Sequence, residues 1–191
     1  MDESRETFEG PLTALGQLLE ERGLRYELYA VGGGALQLLG LITRPTRDID
    51  IAGRVEGDRI LPMATLPPPL AQAIEDTARV FRISPQWVNT GPRSLLDLGL
   101  PNGAIDRAHR RQWGGLVLKI ADRRDQIFFK LYAATDQGPR SKHFEDLRRL
   151  QPTTAELRDA AAWAQTHDPS EGFGAELRAA LHDLGVADGK R

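Results

Sequence analysis

The sequence of 191 residues predicts an α+β protein: a small mixed sheet flanked by helices, followed by a helical C-terminal region. Three observations predict it. Short stretches with strand-like composition or alternation, at 26–31, 47–51 and 116–121, are interleaved with segments of helical periodicity. Beyond the breaker Asp-Gln-Gly-Pro-Arg at 136–140, every periodic segment is helical. The composition, 40% hydrophobic and 27% charged, suits a chain that buries a real core.

Taken in order, Leu12, Leu15, Leu18 and Leu19 recur at helical spacing, and Gly23 suits the position just past a helix end, so residues 11–22 form a first amphipathic helix. The aromatic and β-branched run 26–31 is a strand that enters three glycines, and the apolar stretch 35–41 is a short buried helix. Arg47-Asp48-Ile49-Asp50-Ile51 alternates polar and apolar with period two, which gives a second strand with one dry and one wet face. Four prolines between 61 and 69 make a loop that leads into a helix over about 70–83. Gly and Pro breaks leave 84–113 without regular pattern apart from a short strand at Trp87 and Val88. The third strand, 116–121, is followed by a helix to about 135 that Asp122 can cap. Helices at 141–150, 154–166 and 171–184 complete the chain, the second opened by a Thr153/Glu156 capping box. The division between core and helical region is expected near 138, giving units 1–138 and 139–191.

Several classes are excluded or disfavoured. No apolar run approaches the roughly 18–20 residues that a membrane span needs, and the start MDESRETFEG is acidic where a signal peptide is basic and then apolar, so a cytoplasmic protein without a membrane partner is expected. With no cysteine there is no disulfide, thiolate metal site or cysteine nucleophile, and any metal is held by oxygen or imidazole. The net charge of −2 is unevenly spread. Residues 101–150 carry 11 Lys and Arg against 6 Asp and Glu, the remainder 14 against 21, a pattern that suits either a basic face for an anionic ligand or ordinary surface scatter.

Chemistry concentrates at two neighbouring motifs. Asp48 and Asp50, one residue apart on a strand, project from one face with α-carbons roughly 6.5–7 Å apart. Two such carboxylates suit Mg²⁺ or Mn²⁺, a hard cation that completes its shell with water and phosphate oxygens. Upstream, Gly32, Gly33 and Gly34 close a strand and open a helix, where unobstructed backbone N–H groups can hold an anion. The motif is neither a Walker A loop nor GxGxxG. Separated by 13 residues from the aspartate pair, it forms a phosphate cradle beside a metal pair: a nucleoside triphosphate site.

The sequence of apolar residue, Gly-Gly, short helix and Asp-apolar-Asp resembles the signature of the polymerase-β-type nucleotidyltransferases. Within that superfamily VGGGALQLLGL, RPTRDIDI and DQIFFKLYAATDQGPRSKHFEDLRRL are similar to the minimal bacterial nucleotidyltransferase toxins of the AbiEii-like type and a related uncharacterised family, over about residues 26–150. The resemblance implies that Gly32, Gly33 and Gly34 bind phosphate, that Asp48 and Asp50 bind Mg²⁺, that Lys130 contacts the triphosphate and that Asp146 is a later acidic catalytic position. Arg44 and Arg47 flank the metal strand and can hold phosphate oxygens. On the residues alone, Lys130 is equally a lysine lying along apolar surface. A nucleoside triphosphate, a tRNA acceptor and a cognate antitoxin are the partners so implied. The alternative is a catalytically inactive nucleotidyltransferase-like module that binds nucleotide or a partner protein, since the third strand contains no carboxylate.

Overall fold

The computed structural model describes residues 3–97 and 99–186 and is an α+β protein with a six-stranded mixed sheet. The chain divides into two compact units, Met1–Asp122 and Arg123–Arg191.

The first unit contains helix α1 (Glu3–Glu21), strand β1 (Tyr26–Val31), the short helix α2 (Gly32–Leu38), the hairpin β2 (Ile49–Glu56) and β3 (Arg59–Pro62), and helix α3 (Pro68–Phe81). It continues through β4 (Val88–Asn89), a 3-10 turn at Gly91–Leu96, helix α4 (Ala104–Arg107) and the hairpin β5 (His109–Trp113) and β6 (Leu116–Ile120). The strand order is β3-β2-β1-β6-β5. β1 runs parallel to β6 and antiparallel to β2, while β4 lies parallel to the first two residues of β2.

One face of the sheet, with Leu28, Ala30, Ile49, Ile51, Leu116, Leu118 and Ile120, packs with Phe8, Leu12, Leu15 and Leu19 of α1 and Leu70, Ala73, Ile74 and Ala78 of α3. Fully burying each such side chain is worth about 1.5–3 kcal/mol. This burial explains a departure from the sequence reading. The first helix starts at Glu3, not at Pro11, and Pro11 lies inside it. The missing N–H at Pro11 is outweighed by the apolar stripe from Phe8 to Leu19, which has to reach the sheet as one continuous helix. The loop expected over 61–69 likewise begins later, since Leu61 and Pro62 pair with Arg54 and Gly53 on an edge strand, where proline is tolerated.

The second unit is α5 (Arg123–Gln137), α6 (Lys142–Leu150), α7 (Thr154–His167) and α8 (Glu171–Asp183). α5 is packed by all three of the others. Accordingly its residues from Asp125 to Leu131 are buried without interruption, so it has no polar face to give it an amphipathic signature. The division falls at 122/123 because α5 shares its neighbours with the helices after it; the break at 136–140 is a turn inside this unit. Ser141, Thr153 and Ser170 cap the last three helices, and the Thr153/Glu156 capping box is complete. Trp163 packs against Phe128 and Phe129, with ring centroids 5.8 Å apart in each case.

Arg123 ties the start of α5 to the α6–α7 junction, donating to the Leu150 carbonyl at 2.7 Å and to Glu156 Oε1 at 2.6 Å. The hydrogen bond from Arg123, aided by the Thr153 N–H, holds the Glu156 carboxyl below the ordinary glutamate value. A lowered folded-state value means that the charged form stabilises the fold above the unfolded value, and that this contribution is lost as pH falls through the folded one. Glu156→Gln is therefore expected to lower the melting temperature at neutral pH and to converge with the wild type in acid, as thermal melts across pH would show. No helix among the described residues is long and apolar enough to cross a membrane.

Candidate functional site

The site is built where β1 ends. Val31 pairs antiparallel with Asp50, so the turn after β1 lies directly against the start of β2. Gly32 takes φ +78°, a left-handed conformation that turns the chain into α2. A Cβ on Gly32 would overlap Asp50 Oδ2; the aspartate carboxylate thus occupies the space that a side chain would need. At Gly33 a Cβ would sit 3.0 Å from Arg44 Nη2 and 3.2 Å from Thr46 Oγ1. At Gly34 it would overlap the Asp48 carbonyl oxygen and come within 3.1 Å of Ile49 Cα.

The two motifs form one object, with each glycine giving room to a different part of the segment from Arg44 to Asp50. The Gly34 contact is backbone and cannot yield, whereas the Gly33 contacts are side-chain tips. Gly34→Ala is expected to cost about 1–3 kcal/mol by overpacking, and Gly33→Ala to stay within about 0.5 kcal/mol of wild type. Urea denaturation of the two variants checks the contrast.

Ile49 and Ile51 are buried in the core, and Asp50, half-buried, leaves β2 on the opposite face by strand alternation; Asp48, also half-buried, lies one residue before β2, which starts at Ile49 and not at the expected Arg47. Ile49 donates its N–H to the Trp87 carbonyl at 2.6 Å, which fixes where β2 begins. Thr46 Oγ1 donates to Asp48 Oδ1 at 3.3 Å. Arg44, half-buried, holds its guanidinium over Gly33 and beside the carbonyl of Pro45.

Of the expected residues, the structure brings together Gly32, Gly33, Gly34, Arg44, Asp48 and Asp50. Arg47 is exposed to solvent. Lys130 and Asp146 lie in the second unit and meet each other: Lys130 Nζ donates to Asp146 Oδ2 at 2.7 Å, with the two side chains 4% and 0% exposed. His109, on β5, pairs its Nε2 with Asp122 Oδ2 at 2.9 Å.

Two residues of the site escaped the sequence reading. Thr46 carried a signal in principle, being a hydroxyl two residues before the first aspartate. Asn89 carried none, because its position opposite Asp50 on β4 exists only in the register of the folded sheet.

Among the described residues no group of three or more acidic or histidine side chains is disposed to hold a metal ion. A cation here would rest on Asp48 and Asp50 and take its remaining ligands from water or a bound phosphate, the coordination that Mg²⁺ favours. The donor set fits such an ion, since it is all oxygen and carries two negative charges close together beside a turn without side chains. Compared with protein-family models, characterised proteins and solved structures, the chain shows no significant match.

Proposed function

We propose that the chain is a Mg²⁺-dependent nucleotidyltransferase of the polymerase-β type that moves a nucleoside monophosphate from a nucleoside triphosphate to a hydroxyl acceptor. The observation that carries this reading is the packing of the Asp50 carboxylate on the bare α-carbon of Gly32, with Asp48 one residue before the start of the same strand. A phosphate seated on the turn and a cation seated on the carboxylates would then be neighbours.

Asp48 and Asp50 would hold Mg²⁺ or Mn²⁺, which when bound neutralises charge on the attacking and leaving oxygens. The chain's own residues do the rest. Backbone N–H groups of Gly33 and Gly34 receive the β- and γ-phosphates, and Arg44, poised over Gly33, offsets the charge that grows on the departing pyrophosphate. Thr46 orients Asp48 by its hydrogen bond. The acceptor oxygen forms its bond to the α-phosphorus as the bond to the β-phosphate oxygen breaks, and the acceptor's proton leaves to solvent. Most of the rate comes from positioning and charge neutralisation.

Arg110 and Arg111 on β5 belong to the basic stretch 101–150 and are compatible with a tRNA acceptor. A toxin role with a cognate antitoxin rests on the sequence resemblance alone. Incubating the protein with each α-³²P-labelled triphosphate plus total cellular RNA and protein tests the reading: label should move to a macromolecule with release of pyrophosphate. One observation favours the inactive, nucleotide-binding alternative. β6 contains no carboxylate, and Asp122 just beyond it is engaged by His109. Under that reading calorimetry detects triphosphate binding while label never moves.

A further inference from the structure

β4 is two residues long, yet it places one polar side chain beside the aspartate pair. It runs parallel to β2 with Ile49 opposite Val88 and Asp50 opposite Asn89. Val88 and Ile49 are buried in the same core, so by alternation Asn89 leaves the sheet on the face that carries Asp50. Neighbouring strands are about 4.8 Å apart, which makes Asn89 and Asp50 adjacent on that face.

The amide of Asn89 is also oriented. Its Oδ1 accepts the N–H of Gly91 at 2.8 Å, and because an N–H can be given only to the oxygen, Nδ2 is the opposite, donating end. A Cβ at Gly91 would lie 2.9 Å from Asn89 Oδ1, so the glycine leaves room for the amide. Asn89 is half-buried, within reach of a ligand.

Across the sheet the order is β4, β2, β1, so Asp50 stands between Asn89 and the glycine turn that follows β1. On the nucleotidyltransferase reading, β- and γ-phosphates on the turn would leave the α-phosphate nearest the aspartates, and Asn89 would then lie on the side away from the leaving pyrophosphate.

We propose that Asn89 is a further ligand-contacting residue of this site, its Nδ2–H donating to a non-bridging oxygen of the phosphate held at Asp50. The assignment rests on the nucleotidyltransferase reading. It gives the site a neutral donor on its third side: Asn89 stabilises negative charge on the phosphate and takes no proton from the acceptor.

The test uses the intact chain and two probes, Mn²⁺ alone by electron paramagnetic resonance and each Mg²⁺-triphosphate by calorimetry. Asn89→Ala should weaken the tightest triphosphate roughly ten- to a hundredfold, the loss of one hydrogen bond to a charged group, and leave Mn²⁺ affinity within about twofold. Asn89→Asp keeps an acceptor for the Gly91 N–H and puts a carboxylate oxygen where Nδ2 stood, so it should tighten Mn²⁺ about tenfold. If Asn89→Ala melts early, Asn89→Ser, which also keeps an acceptor for Gly91, replaces it.

Unchanged triphosphate affinity in the Ala or Ser variant, or unchanged Mn²⁺ affinity in the Asp variant, overturns the assignment. A wild type that binds no triphosphate overturns both it and the reading beneath it. If the variants shift binding as stated but the wild type transfers no label, the transferase reading alone is lost and Asn89 remains a contact in a nucleotide-binding site.

Discussion

Asp48→Ala and Asp50→Ala should each lower transfer of labelled nucleotide by at least about 10³-fold, because each removes half of the protein's hold on the cation that neutralises the reacting phosphate. Stability should respond in the opposite sense. In the absence of a cation two neighbouring carboxylates repel, so Asp48→Ala, which relieves that repulsion at the loss of one 3.3 Å hydrogen bond from Thr46, should leave the melting temperature unchanged or raise it. The two sites differ in their surroundings. Asp48 is oriented by Thr46, and Asp50 fills the space over Gly32. Asp48→Asn keeps an acceptor for the Thr46 hydroxyl and should lose activity nearly as completely as the alanine variant, which separates charge from shape. Label transfer measured alongside a thermal melt gives both readouts, and undiminished transfer by either alanine variant would remove the aspartate pair from the chemistry.

The largest effect on stability is expected at Lys130. Its ammonium and the Asp146 carboxylate are almost wholly removed from water and bonded to each other at 2.7 Å. Lys130→Met leaves a carboxylate in the interior of the helical unit without this partner and should cost about 3–5 kcal/mol. For a chain of this size that corresponds to roughly 6–20 °C in melting temperature. Adding Asp146→Leu should recover most of the loss, because an apolar pair of similar volume tolerates the same site. The double variant also decides what the lysine is for. With the fold restored, retained label transfer assigns Lys130 and Asp146 to holding α5 against α6, and lost transfer assigns them to the triphosphate. Chevron or equilibrium urea data on the four proteins of the cycle give the coupling.

The elements legible in the sequence were those whose reasons are local. β1 reads directly from its aromatic and β-branched run, β6 from its apolar one, and the helices after 140 carry their own caps at Ser141, Thr153 and Ser170. β5 was illegible because His-Arg-Arg-Gln-Trp has no apolar alternation; it is an edge strand held by the register of β6 and by Glu9, which accepts from Arg111 and Trp113. α5 reads as a helix, but its association with the later helices does not, since a segment buried on every side looks like a core element wherever it lies. The site divides in the same way. The glycines and the aspartate pair are short motifs with a geometric meaning of their own, so they stood out. Thr46 acts through a neighbour's carboxylate and Asn89 through strand register, and neither relation is written in residue type.

The unequal surroundings of the three glycines have a practical use. The space over Gly33 is bounded by the side-chain ends of Arg44 and Thr46, while its two neighbours press on a carboxylate and on main chain. Because Gly33 is buried beneath those two side chains, Gly33→Ala would push on the walls of the cradle alone and so tune ligand access, where Gly34→Ala disturbs the main chain beneath it.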